Sequence, residues 1–187
     1  MKQITIHSDG ACEGNPGPGG WAAILQYGPH RREIAGAALA TTNNRMELQA
    51  ALEALRALKE PCEVQIHSDS EYLRDGMTLW LRAWKFRGWK TKEKQPVKNS
   101  DLWKALDELA TRHKVSWHWL KGHAGHPLNE RCDLLAKQQI RTLRSRHPGE
   151  DFKRALAAFK TQNGTPPATA RPHSSPTVPF QQAFTTD

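Results

Sequence analysis

Residues Ile6-His7-Ser8-Asp9 and residues Ile66-His67-Ser68-Asp69 spell the same phrase twice. Each copy follows a short apolar approach, Ile4-Thr5-Ile6 in the first and Val64-Gln65-Ile66 in the second. Apolar and polar residues alternate through both runs, as they do in a half-buried strand. Side chains two apart on a strand share a face, so Asp9 lies with His7 and Thr5, opposite Ile4 and Ile6. Asp69 lies likewise, opposite Val64 and Ile66. If the two strands are parallel and adjacent, both carboxylates reach one sheet edge at a strand spacing of roughly 4.8 Å. Two ionised carboxylates so placed repel, and one takes a raised pKa unless a cation sits between them. A single aspartate at a strand end reads as well as a turn residue; the matched pair favours a site.

The chain between the copies supplies what a parallel pair needs. The first strand spans residues 3–9. Residues 10–20 hold Gly10, Gly14, Gly17, Gly19 and Gly20 with Pro16 and Pro18, and read as a loop of close backbone approach. The glycines lack the Gly-x-Gly-x-x-Gly spacing of a dinucleotide site and open no helix. Residues 21–27 and 32–40 make two strands joined by a turn at Gly28-Pro29, an antiparallel hairpin. Thr42-Asn43-Asn44 starts a helix, and Asn44 with Glu47 fits a capping box. Leu48, Leu52, Leu55 and Leu58 form its buried stripe, and it ends before Pro61. That helix is the crossover that returns the chain to a parallel strand at 64–69. Helical patterns follow at 71–84 and 101–112, then a fifth strand at 115–120 and the loop Lys121-Gly122-His123-Ala124-Gly125-His126. Pro127 opens a last helix that runs to about residue 142. The class is α/β.

The chain has 187 residues and a formal net charge of +8, which suits one domain with an appendage and an acidic partner, nucleic acid first among them. No apolar run is long enough for a signal peptide or a membrane span. Cys12, Cys62 and Cys132 are odd in number and far apart, and read as reduced thiols of a cytoplasmic protein. After residue 143 the character changes. Phe152, Leu156 and Phe159 line a short helix at about 150–160. From Thr161 onward five prolines fall in 27 residues, the composition of a disordered tail. The tail is inert, or it docks a protein partner through Phe152, Leu156 and Phe159 or through Phe180 and Phe184.

Two further carboxylates can join the pair. Glu47 reads either as a cap residue favoured by the helix dipole or as a ligand. Asp133 reads either as a surface residue or as a ligand at the edge of the buried face of its helix. Ionised carboxylates are hard oxygen ligands, which select Mg²⁺ or Mn²⁺ over zinc. Two such ions can activate a water and stabilise the leaving oxygen of a phosphodiester. His123, His126 and Cys132 offer a rival zinc fragment, but their spacing fits no standard zinc pattern. His123, in a glycine-flanked loop, is suited to carry protons near neutral pH. From residue 82 to 98 the chain is strongly basic, with Trp84, Phe86 and Trp89 among the charges, a pattern suited to sugars, bases and phosphates.

These residues resemble bacterial type 1 ribonuclease H over about residues 1–142. The motifs are Ser8-Asp9-Gly10 with Gly14-Asn15-Pro16-Gly17, and Thr41-Thr42-Asn43-Asn44-Arg45-Met46-Glu47-Leu48. With them stand Asp69-Ser70, Trp84-Lys85 with Arg87-Gly88-Trp89-Lys90, the 121–126 loop, and Asn129-Glu130-Arg131-Cys132-Asp133. The resemblance implies a five-stranded mixed sheet in the order 3-2-1-4-5, strand 2 antiparallel, flanked by helices. It implies a monomeric endonuclease that cuts the RNA strand of RNA/DNA hybrids with two Mg²⁺ ions, Mn²⁺ substituting. Asp9, Glu47, Asp69 and Asp133 would hold the metal, and His123 would assist proton transfer or product release. Cys12, Asn15, Asn43 and Asn44 match positions that contact the hybrid near the cut, Glu71 occupies a further substrate-contact position, and Thr42 with Asn15 match a pocket for a DNA-strand phosphate. Trp80, Trp84, Lys85, Arg87, Trp89 and Lys90 match a basic protrusion that holds the DNA strand. Two positions depart from the pattern. Ala40 stands where some relatives carry Arg, which implies a weaker phosphate pocket, and Glu71 stands where Gln is frequent, which adds negative charge at the site. A hybrid-binding module without catalysis, and a nuclease of related fold acting on DNA, are the rival readings; four carboxylates facing phosphates disfavour the first.

Overall fold

In the computed structural model, which describes residues 1–162, the first alternating run continues beyond Asp9. Strand β1 (Lys2–Cys12) pairs antiparallel with β2 (Gly17–Tyr27), and β2 pairs antiparallel with β3 (His30–Thr41). The glycine-rich stretch expected to be a loop is therefore largely strand: Gly10 faces Trp21, Ala11 faces Gly20 and Cys12 faces Gly19 across the ladder. Only residues 13–16 remain as the connection. The close backbone approach is real, and it occurs inside the sheet. A Cβ on Gly10 would lie 2.4 Å from the backbone nitrogen of Glu47, so any side chain at position 10 would push the following helix off the strand.

That helix, α1 (Asn43–Arg56), begins where β3 ends. Thr42 keeps the extended backbone of the strand and its hydroxyl accepts from the Arg45 N–H at 3.3 Å, which makes Thr42 the cap. The capping box expected of Asn44 and Glu47 does not form, because the helix starts two residues earlier than that box requires. Met46, Leu48, Leu52 and Leu55 are buried on α1 and meet Ile4 and Ile6 of β1 and Val64 and Ile66 of β4 (Cys62–Ser68). Each such side chain contributes about 1.5–3 kcal/mol by leaving water. Arg45, 3% exposed, donates to both Asp101 carboxylate oxygens and to Asn99 Oδ1, tying α1 to α4 (Ser100–Ala110).

The crossover works as expected: β4 lies parallel to β1, with His7 opposite His67. β5 (Lys114–Trp119) lies parallel to β4 and completes the order β3-β2-β1-β4-β5. The helical region after β4 is divided into α2 (Glu71–Asp75), a π-helical turn (Gly76–Trp80) and α3 (Leu81–Phe86). On the other sheet face α5 (Pro127–Arg146) packs Cys132, Leu135 and Ala136 against Ala22 and Ile24 of β2. It runs to Arg146, four residues past the expected end, with Ile140 and Leu143 still buried in its later turns. No helix of the described residues is long and apolar enough to cross a membrane.

The helix expected at 150–160 is present as α6 (Gly149–Thr161). Its Ala155 and Phe159 are buried against Ala40 of β3, with Leu39 and Leu156 alongside. Phe152 packs elsewhere, under the Arg144 guanidinium and against the His147 ring. The proline-rich tail, with Phe180 and Phe184, lies outside the described residues. Because Phe159 is 5% exposed, Phe159→Ala is expected to destabilise the protein by about 3 kcal/mol. Chemical denaturation of the two proteins, compared at one pH, reads that loss.

Candidate active site

Three carboxylates converge where β1, β4 and α1 meet. Asp9 sits near the end of β1, Glu47 in the second turn of α1, and Asp69 one residue past the last rung of β4. One oxygen of each lies within 4.8 Å of the others, and this is the group of potential metal ligands found among the described residues. The carboxylate pair expected from the parallel strands is therefore present, except that Asp69 stands just outside its strand. Glu47 is not where a cap or first-turn dipole would place it, which removes the structural explanation for an acid at that position. The His123, His126 and Cys132 alternative is not assembled: Cys132 is buried on α5, with its Sγ 3.3 Å from the His7 carbonyl.

The electrostatics are those of an anion cluster kept from water. Burial, then the Asp69 charge, pushes the Asp9 carboxyl up to about 7. Burial, then Asp9 and Asp69, raises Glu47 well above the ordinary carboxylate range. Burial raises Asp69 too, and the charge of Asp133 adds to it; the backbone N–H of Asp69 itself, the charge of His123 and hydrogen bonding by the Asn129 amide oppose it. Glu47 Oε2 is buried with no hydrogen-bond partner. A buried acceptor left unpaired costs free energy, and three convergent acid oxygens with one orphaned acceptor fit a hard divalent cation.

The same open cleft, of about 510 Å³, is lined by Asp9, Cys12, Asn43, Asn44, Glu47, Asp69, Glu71, His123 and Asp133. His123 holds a left-handed backbone, φ 53°, in its loop. Asp133 stands apart from the trio and is paired with Lys137 at 2.7 Å. Asn15 and Thr42 serve the start of α1: Asn15 Oδ1 accepts from the Asn43 N–H at 2.9 Å, and Thr42 is the cap. Trp80 and the basic-run residues are not among those that line the cleft, although Trp80 packs against Tyr72, which does. Trp80 and Trp84 belong to a cluster of rings with Tyr72 and the buried Trp103, at centroid distances of 5.1–6.0 Å. Lys85 is paired with Asp107 at 2.8 Å, and the Lys104 ammonium stands over the Trp89 ring. Arg87 and Lys90 are exposed.

Sequence reasoning passed over several residues here. Lys137 lines the cleft, and its spacing of four from Asp133 on one helix was the available signal. Asn129, 3% exposed, acts on Asp69 from the first turns of α5. His7, His67 and His118 stack across β1, β4 and β5 at 4.9 and 4.8 Å. The repeated phrase contained the first two rings of that stack, since parallel strands in register set like residues side by side; His118 joins it from β5. Burial and the neighbouring cations push His7 down to about 4.

A five-stranded mixed sheet of this order, with an acidic cluster at the end of its central strands, defines a ribonuclease H-like nuclease fold. The family model for RNase H matches residues 1–141. A ribonuclease H of Chelativorans sp. is 58% identical over 150 residues, covering 80% of this chain and 93% of that protein. A ribonuclease HI of Caulobacter vibrioides is 60% identical over 139 residues, covering 74% and 93%. Among solved structures, that of LC9-RNase H1, a type 1 RNase H, superposes with a TM-score of 0.70 at 28% identity, covering 96% of each chain. The chain belongs to the ribonuclease H family, and its relatives place it with the bacterial ribonucleases HI.

Raised carboxyl groups bind protons in the folded state that the unfolded chain has released. The contribution of the carboxylate cluster to the stability of the metal-free protein should therefore fall as pH rises from about 4 to about 7, the interval between the ordinary and folded values of Asp9, while His7, held down at about 4, contributes in the opposite direction. The Asp9 shift alone has an upper bound of roughly 4 kcal/mol. Asp9→Asn should flatten that slope and raise the midpoint of thermal unfolding of the chelated protein at pH 7.5. Melting curves across the pH range, taken in EDTA, check both.

Proposed function

We infer that the chain is an endoribonuclease that hydrolyses the RNA strand of RNA/DNA hybrids. The observation that carries this is the convergence of Asp9, Glu47 and Asp69 within 4.8 Å, with Glu47 Oε2 unpartnered, in a chain of the ribonuclease H family. The substrate class is supported by LC11-RNase H1, a relative of the same fold solved in complex with RNA/DNA hybrid. The net charge of +8 suits such a polyanion.

In this reading Asp9, Glu47, Asp69 and Asp133 would hold two Mg²⁺ ions, with Mn²⁺ as a substitute. Metal bound there would supply activation of a water and neutralisation of charge at the leaving oxygen, and the cut would leave 5′-phosphate and 3′-hydroxyl ends. The carboxyls of Asp9 and Glu47, both pushed up by burial and by one another, would give up protons when the site is filled. Lys137 restrains the Asp133 carboxylate at the rim and exchanges it to the site. His123, on its loop beside Asp69, moves a proton at the departing 3′-oxygen. Cys12, Asn43, Asn44 and Glu71 line the cleft where a 2′-hydroxyl distinguishes RNA from DNA. Asn15 and Thr42, at the start of α1, form the pocket for a phosphate of the DNA strand. Trp80, Trp84, Lys85, Arg87, Trp89 and Lys90 form an arm, within residues 82–98 and the turn before it, that holds that strand. Residues 1–142 serve as the catalytic domain and 143–187 as an extension. A cytoplasmic monomer removing RNA primers and R-loops is the role that fits.

Labelled hybrid should be cut with Mg²⁺ and left intact with EDTA, while an all-DNA duplex should be untouched. Asp9→Asn should reduce cleavage to background and keep hybrid binding; full activity in that variant would sink the mechanism. Replacing Trp84, Lys85 and Lys90 together should raise KM and flatten the dependence of binding on salt. An unchanged salt slope would reject the arm as the binding surface.

A further inference from the structure

Asp69 occupies an awkward position. The β4–β5 ladder ends at the pair Ser68 and Trp119, and Ser70 already caps α2, accepting from the Leu73 N–H at 3.1 Å. Asp69 is the single residue between strand and helix, so neither element's regular hydrogen bonds hold it. A carboxylate that must meet Asp9 and Glu47 within 4.8 Å needs its backbone fixed, since a small rotation there swings the side chain away.

The end of β5 provides the restraint. The Trp119 indole Nε1–H donates to the Asp69 carbonyl at 3.0 Å. The next residue continues the pairing on the other side, with the Leu120 N–H on the Ser68 carbonyl at 2.9 Å. The indole thus adds one rung past the end of the ladder. Trp119 is 41% exposed, so its ring is not there chiefly to fill a core. It is steadied from α2 by the Arg74 guanidinium, 5.6 Å from the ring centroid. Arg74 is in turn fixed by Asp75 at 2.8 Å and Glu71 at 3.6 Å. Three residues beyond Trp119, Gly122 walls the carboxylate: a Cβ there would stand 2.7 Å from Asp69 Oδ2. The backbone of Asp69 is pinned by the indole and its carboxylate is confined by the Gly122 main chain, both from one stretch of β5 and its following loop.

We propose that Trp119 is a positioning residue, whose indole N–H fixes the Asp69 backbone so that its carboxylate completes the metal-binding trio. The inference rests on the metal-site reading above. It separates the role of the N–H from that of the ring, and so it can be tested with the ring left in place. Trp119 is replaced by 3-benzothienylalanine, which keeps the bicyclic shape and puts sulfur where the N–H was, and in a second variant by Phe.

Loss of one positioned hydrogen bond is expected to weaken Mn²⁺ binding to the chelator-stripped protein, read by calorimetry, about five- to tenfold. On hybrid substrate kcat should fall with KM unchanged. The unfolding midpoint of the metal-free protein should move by less than about 4 °C. In an Asp69→Asn background the same replacement should weaken Mn²⁺ binding no further, because the two changes act through one carboxylate. Parental Mn²⁺ affinity in the benzothienylalanine protein would overturn the proposal, as would a full additional loss on top of Asp69→Asn. If instead Asp69→Asn alone binds Mn²⁺ as tightly as the parent, the metal-site reading fails and this inference goes with it.

Discussion

Three carboxylates that repel one another, held within 4.8 Å and largely out of water, are the constraint to which the rest of the molecule answers. Left to itself the chain would separate them. It is prevented by elements whose own reasons for forming lie elsewhere. β1 and β4 are joined by main-chain hydrogen bonds and by the apolar row Ile4, Ile6, Val64 and Ile66. α1 is pressed onto the sheet by its leucines and approaches β1 at Gly10 as closely as two backbones can. The hydrophobic core outweighs the repulsion many times over, so the cluster can persist with raised pKa values until a cation relieves it. Strain at a functional centre supported by an ordinary core is how a binding site stores affinity for its ligand.

Much of this was legible in the sequence, and the reasons differ from residue to residue. The repeated Ile-His-Ser-Asp phrase, with a helix-length connection between its copies, was enough for parallel β1 and β4, because a parallel pair needs a crossover and a period of two fixes the faces. Sequence spacing alone left Glu47 and Asp133 open, since both have sound roles as ordinary helix residues; the resemblance to a family resolved them. Thr42 was misread as a preliminary to a cap at Asn44, because a strand that runs straight into a helix leaves no loop to mark the boundary. The glycines at 10, 19 and 20 looked like a loop, because composition alone cannot distinguish glycine needed for a turn from glycine needed for close packing. Trp119 and Gly122 were not legible as partners of Asp69: one acts on a carbonyl and the other by lacking a side chain, and neither leaves a motif.

The departure at Ala40 takes on a different sense in three dimensions. In the sequence it is a missing arginine beside a phosphate pocket. In the fold it is fully buried beneath Ala155 and Phe159 of α6. A long cationic side chain at that point would compete with the helix for the same ground. The small residue and α6 are complementary, and α5, unbroken through residue 146, carries the chain across to make the contact. On the way Arg144 pairs with Glu13 in the short connection between β1 and β2.

Trp80, Trp84, Trp103 and Tyr72 form a closed cluster in which each ring touches two others. Neighbours at 5.1–6.0 Å and tilted by 50–59° are close enough to share electronic excitation. They join the basic arm to a fully buried indole at the core. The near-ultraviolet dichroism and the tryptophan emission of the protein will therefore carry a contribution from this cluster, and Trp80 and Trp84 give the foot of the basic segment an optical label.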